Sequence, residues 1–198
     1  MKLTAKLFLD TEFTGLRQDT TLISLALVGM NGEEFYAEFT DYDVKQLTPW
    51  LEEHVIANLC LNDANQNWED LRKMHIKGGK KEIATALKIW FGQFELKRDQ
   101  HGHIIPNIQI WGDVPHWDWV LFCELFGGAF EIPKNIHYMC LDLATFIQFK
   151  GYSVEIPRIK NEEGYGLIDY IDKDGLKLHN ALFDARMELV CFKELNKM

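Results

Sequence analysis

The chain has 198 residues, enough for one well-buried core and short for two, so a single domain over residues 1–198 is expected. An apolar fraction of 47 % and a charged fraction of 26 % exclude a disordered or fibrous protein. With 21 Lys and Arg against 30 Asp and Glu, the formal charge of −9 argues against sequence-independent gripping of a polyanion by a basic surface; any nucleic acid must be held locally, with bound cations offsetting the acidity.

In chain order, residues 6–10 read as a short apolar strand ending in a carboxylate, and residues 21–28 as a second strand. Asn31-Gly32 supplies the positive-φ pair of a tight hairpin, and residues 33–39 alternate as a third strand antiparallel to the second. Thr48-Pro49, followed by Trp50, Leu51, Val55 and Leu59, predicts a capped helix. Residues 60–79 are polar and read as irregular; Ile83, Leu87, Trp90, Phe91 and Phe94 then recur at helical steps. Residues 100–107 read as a loop, 108–111 as a strand, and 118–126 as a helix ending at Gly127-Gly128. A fifth strand is expected over 137–141, feeding a helix from 142 to about 149 with Asp142 as its cap. Residues 157–177 are loop-rich, and Leu178, Leu182, Ala185, Leu189 and Phe192 define a C-terminal amphipathic helix. The pattern predicts a mixed α/β sheet with helices on its faces.

Cys60, Cys123, Cys140 and Cys191 are scattered and form no zinc-type spacing, so reduced core thiols are expected. The first residues lack the apolar core of a signal peptide, and no run of eighteen apolar residues occurs. A soluble, cytoplasmic protein is expected.

The chemistry concentrates in three places. Asp10 and Glu12 stand two apart at the end of the first strand, so both carboxylates project to one side; an unpaired buried charge there costs several kcal/mol, which a metal ion would offset. Asp118 follows Trp117 where a helix begins; a plain N-cap is the competing reading. His179 precedes Asp184 by five residues, a spacing off the helical stripe that puts His179 in the approach to the helix, able to bend over a site.

These three elements, in this order and over nearly the whole chain, resemble the DEDD exonucleases of RNase H-like fold, in the histidine-containing branch with DnaQ-like proofreading subunits and ribonuclease T. The Asp-Thr-Glu-Phe start and the His-x-Ala-Leu-x-Asp-Ala-Arg end look closest to the RNase AS-like 3′ exoribonucleases that prefer adenylate-rich RNA. The resemblance implies a mixed five-stranded sheet, its first three strands antiparallel, with helices on both faces. It also implies a 3′-5′ exonuclease that releases nucleoside 5′-monophosphates, most readily from single-stranded RNA. A DNA exonuclease of the proofreading or repair kind and a non-catalytic nucleic-acid-binding domain are the alternatives.

By the same resemblance, two Mg²⁺ or Mn²⁺ ions are held by Asp10, Glu12, Asp118 and Asp184, with Asp10 bridging, Glu12 and Asp184 completing the water-activating site, and Asp118 holding the other ion. His179 is the general base. Many relatives carry Asn where Asp113 stands, which makes Asp113 a rival to Asp118. Thr11, Phe13, Thr14 and Gly15 are expected near the 3′-terminal nucleotide, with His116 and Trp117 beside them; for Phe13, Trp117 and Trp119, core packing competes with base stacking. Homodimerisation, with a partner subunit completing the groove, is a further implication. Arg158 and Lys160 fall in the long loop, where solvation competes with phosphate contact. His101 and His103 have no acidic partner at ligand spacing and read as loop residues, and Asp172 to Gly175 reads as a turn, not a calcium loop.

Overall fold

The computed structural model describes residues 5–62 and 66–197; residues 1–4 of the opening segment, 63–65 of the stretch read as irregular, and Met198 lie outside the described residues. Strands β1 (Ala5–Phe13), β2 (Leu22–Gly29) and β3 (Glu34–Phe39) form the expected antiparallel start. Helix α1 (Pro49–His54) follows, capped by Thr48, whose hydroxyl accepts from the Leu51 amide at 3.2 Å. It ends earlier than the apolar spacing to Leu59 suggests and passes into a single 3-10 turn, Ile56–Asn58.

Next come β4 (Lys73–Gly78), α2 (Lys80–Phe91), a two-residue hairpin of β5 (Lys97–Arg98) and β6 (Ile104–Ile105), β7 (Ile108–Gly112), and α3 (His116–Glu124). β8 (Leu141–Asp142), α4 (Leu143–Phe149) and α5 (Ala181–Leu195) complete the chain. The main sheet has six strands in the order β4-β3-β2-β1-β7-β8, with parallel pairing at β3/β4, β1/β7 and β7/β8.

Four expectations need correction, the first being the strand count, six where five were expected, because β4 adds a strand beyond β3. β4 lies within the stretch read as irregular: Met74 and Ile76 alternate inward between exposed Lys73 and Lys77, a period-2 signal that the surrounding polar residues mask. The loop over 100–107 contains β6, whose pairing with β5 makes a small hairpin. The strand expected over 137–141 shrinks to Leu141–Asp142, supplemented by an isolated bridge between Ile108 and Ile136.

β1 sits at the centre, and its run Leu7-Phe8-Leu9 is buried on both faces. Leu7 and Leu9 pack with Ile83, Leu87 and Trp90 of α2 and Phe122 of α3; Phe8 packs on the other side with Ile147 of α4 and Leu189 and Phe192 of α5. Helices therefore cover both faces. The same alternation carries Asp10 and Glu12 to the α5 face and Thr11 to the α3 face, which sets up the site.

Candidate active site

Asp10 and Glu12 leave β1 on the side where α5 crosses, and Asp184 lies in the first turn of that helix. Ligand oxygens of Asp10, Glu12 and Asp184 lie within 4.8 Å of one another. Oδ2 of Asp10 is fully buried and meets no hydrogen-bond partner among the described residues. A buried anion without donors is expensive, and a divalent cation surrounded by carboxylate oxygens removes that cost.

The electrostatics agree. Burial, then the charges of Asp184, Glu12, Asp118 and Glu188, raises Asp10 well above the ordinary carboxylate range. Burial, then Asp184 and Asp118, pushes Glu12 up to about 8. Burial, with Asp113 adding, pushes Asp184 up to about 7, although the His179 amide donates to its Oδ2 at 2.9 Å.

Asp118 stands on the opposite face of β1 and reaches the strand end through Thr11, whose amide and hydroxyl both donate to its Oδ1, at 3.0 and 2.6 Å. Close approach of the β7–α3 turn makes this possible: a Cβ on Gly112 would stand 2.7 Å from Pro115 Cβ and 3.0 Å from Leu9 O. Thr11 thus positions a carboxylate, with both its amide and its hydroxyl engaged by Asp118. Burial outweighs those hydrogen bonds and raises Asp118.

Asp113 is differently placed. Arg158 donates to both its oxygens, at 2.6 and 2.8 Å, so the arginine expected to be a solvated loop residue or a phosphate contact is instead a half-buried ion-pair partner. The Asp113 amide donates to Glu188 Oε1 at 2.9 Å, and burial keeps Glu188 well above the ordinary range. Glu188 lies one helical turn beyond Asp184, a position that no motif marked. Lys160 pairs with Asp169 at the surface, at 2.8 Å.

His179 takes a left-handed backbone conformation, φ 64°. Its ring meets Trp50 edge-on, with centroids 5.0 Å apart, and Trp50 stacks flat on His54 at 4.8 Å. Burial, then His54, lowers the His179 pKa, keeping the ring neutral near pH 7. Trp50 also lines a cleft of about 390 Å³ beside Glu12, together with Phe13, Thr14, Gly15, Leu16 and Thr48. Phe13 tilts against Trp117 at 6.5 Å, whereas Trp119 stacks on core Phe122.

The Thr14 hydroxyl is occupied by Thr20, Thr21 and Gln46, and its amide donates to the Thr21 carbonyl at 3.0 Å. Gly15 is open: at φ 156° an added Cβ would meet only Arg17, 3.8 Å away at the nearest. His116 stays exposed at the start of α3. Of the expected site residues, the fold therefore gathers Asp10, Glu12 and Asp184 directly, Asp118 through Thr11, and His179 through the Asp184 hydrogen bond. Trp50 and His54 join them; in the sequence Trp50 reads as part of an apolar helical stripe, and no motif marks His54.

Other expectations fell elsewhere. Asp142 caps α4 by accepting from the Ala144 and Thr145 amides, and also accepts from the Val114 amide. Asp172 accepts turn amides as expected, but it is buried as well and pairs with Arg186 at 2.8 Å. His103 does have an acidic neighbour, Asp99 at 3.2 Å, in an exposed hairpin. No cysteine is paired in a disulfide, and among the described residues no helix is long and apolar enough to cross a membrane.

A mixed sheet carrying paired carboxylates on its central strand, met by a third from the helix behind it, defines the RNase H-like exonuclease class of domain. Residues 5–195 match the family model of the 3′-5′ exoribonuclease Rv2179c-like domain, and the chain belongs to that family of 3′-5′ exonucleases. It is 24 % identical over 186 residues to the 3′-5′ exoribonuclease Rv2179c of Mycobacterium tuberculosis strain H37Rv, covering 94 % of this chain and 90 % of that protein; the MT2234.1 exoribonuclease of strain CDC 1551 matches to the same extent. Among solved structures, E. coli exonuclease I in complex with a dT13 oligonucleotide superposes with a TM-score of 0.51 at 14 % identity over 98 % of this chain. This chain spans 41 % of that exonuclease I chain, and the likeness is one of fold.

Proposed function

We propose that the protein is a divalent-metal-dependent exonuclease that removes nucleoside 5′-monophosphates from the 3′ end of single-stranded RNA. The convergence of Asp10, Glu12 and Asp184 around an orphaned buried oxygen carries this reading. The exoribonuclease relatives support RNA as substrate, and the oligonucleotide-bound exonuclease I supports a single strand. Asp10, Glu12, Asp118 and Asp184 would hold two Mg²⁺ or Mn²⁺ ions. When bound, such ions stabilise negative charge on the attacking and leaving oxygens.

The chain's own residues do the rest. Thr11 holds Asp118 in register with the strand end. The cleft lined by Phe13, Gly15 and Trp50 receives the terminal nucleoside, its aromatic walls stacking the base while the Gly15 backbone allows close approach. His179, neutral at working pH, accepts the proton of the attacking water. Its ring packs on Trp50 in the structure, and substrate in the cleft would draw it over the carboxylates. We place the enzyme in the cytoplasm, as a homodimer whose partner subunit extends the groove.

The test is hydrolysis of matched 5′-labelled single-stranded RNA and DNA with Mg²⁺, Mn²⁺ or EDTA. A ladder shortening from the 3′ end of RNA, abolished by EDTA and by Asp184→Ala, is expected. Equal or faster loss of DNA would move the substrate assignment to DNA, and EDTA-resistant hydrolysis would remove the metal mechanism.

A further inference from the structure

We propose that Asn58 is a positioning residue for the catalytic histidine, holding the Leu178 carbonyl on one side of His179 and the Asn180 side chain on the other; this rests on the role given to His179 above. Left-handed backbone is uncommon for non-glycine residues; histidine adopts it more readily than most, and contacts to the flanking backbone fix it there. His179 is in that region, at φ 64°. Asn58 lies 121 residues earlier, at the end of the 3-10 turn that follows α1, yet it reaches both of His179's neighbours in the chain. Its Nδ2 donates to the carbonyl of Leu178 at 2.9 Å, and its own carbonyl accepts from Asn180 Nδ2 at 2.8 Å.

The clasp is anchored on both sides. The same Nδ2 donates to the His54 carbonyl at 2.5 Å, tying the clasp to the helix whose Trp50 and His54 rings pack against the His179 imidazole. Asn180 in turn donates to the Tyr36 hydroxyl at 3.0 Å, and that hydroxyl donates to buried Glu38, at 3.0 Å, in the sheet. Asn180 Oδ1 also accepts from the Leu182 and Phe183 amides and so caps α5, the helix that carries Asp184. Asn58 therefore links, through its side-chain amide, the helix bearing the aromatic wall to the backbone beside the histidine, and, through its main-chain carbonyl, the cap of the helix bearing a metal ligand, leaving the imidazole ring itself free to turn. No hydrophobic side chain can make the two donated bonds, whereas the accepted bond belongs to the main chain and survives any substitution at this position.

The experiment compares Asn58→Ala, His179→Ala and the double variant for kcat, KM and the Mn²⁺-induced rise in Tm. Displacing a general base by a fraction of an ångström to an ångström lowers turnover by roughly 10- to 100-fold. Asn58→Ala is expected to lose kcat in that range, with the Mn²⁺-induced rise preserved and with the double variant no slower than His179→Ala alone. If His179→Ala keeps full turnover, the role of His179 itself is wrong. If His179→Ala loses turnover while Asn58→Ala does not, the inference about Asn58 is overturned; it is overturned equally if the two losses multiply. Should Asn58→Ala fail to fold, Asn58→Asp serves in its place, since it keeps size and the backbone acceptor but cannot donate to Leu178.

Discussion

Replacing Asp10 with Asn should make the metal-free protein more stable, and more so as pH rises. Asp10, Glu12 and Asp184 all have carboxyl pKa values raised first by burial and then by neighbouring carboxylates: Asp184, Glu12, Asp118 and Glu188 for Asp10, Asp184 and Asp118 for Glu12, and Asp113 for Asp184. A raised pKa means that the neutral form favours folding: the stability is fully present below the unfolded value, near 4, and is lost as pH rises through the folded value. With Asp184 moved from 3.8 to about 7 and Glu12 from 4.5 to about 8, the loss spans roughly pH 4 to 8. At about 1.4 kcal/mol per pH unit, each shift is worth on the order of 4 kcal/mol, and the charges share it. Removing one of them recovers roughly 2 kcal/mol at pH 8, or about 4 to 8 °C in Tm for a domain of this size. Melts of wild type and Asp10→Asn in chelator at pH 5 and pH 8 would measure it. A variant no more stable than wild type at pH 8, or with an advantage independent of pH, would refute the reasoning.

Further outcomes follow from the same geometry. Thr11→Val removes the 2.6 Å hydroxyl bond to Asp118 and should lower activity roughly tenfold at limiting metal, with partial recovery at high Mn²⁺, read from metal titrations of the initial rate. Trp50→Ala should raise KM several-fold for an oligonucleotide while the metal-free Tm stays within about 2 °C, because half of Trp50 is exposed and its cost falls on stacking. Arg186→Leu should cost about 3 to 5 kcal/mol by urea unfolding, since it leaves buried Glu34 and Asp172, at 2.8 Å each, without their cation.

The acidic site was legible where local rules carry it. A strand's alternation puts Asp10 and Glu12 on one side, and the off-stripe spacing of His179 and Asp184 separates a loop residue from a helix residue. Asp118 is favoured over Asp113 in the sequence by the aromatic before it and the helix after it, but the partners that distinguish the two lie far along the chain: Arg158 for Asp113, Thr11 for Asp118. Asn58, His54 and Glu188 escaped for the same reason. Each looks like an ordinary polar residue in its own segment and gains meaning only when the fold brings Leu178, His179 or Asp113 against it. β4 was missed through averaging: its two inward residues were judged with a long polar stretch around them.

Everything in the proposed chemistry depends on a carboxylate pair on β1 and a remote carboxylate on α5 forming one cation site. The most direct measurement is Mn²⁺ binding followed by electron paramagnetic resonance at pH 7.5, for wild type, Asp10→Asn and Asp184→Asn. The account predicts that wild type sequesters Mn²⁺ and that either substitution, made on a different element of the fold, sharply weakens the same binding. Unchanged Mn²⁺ uptake in both variants would contradict it.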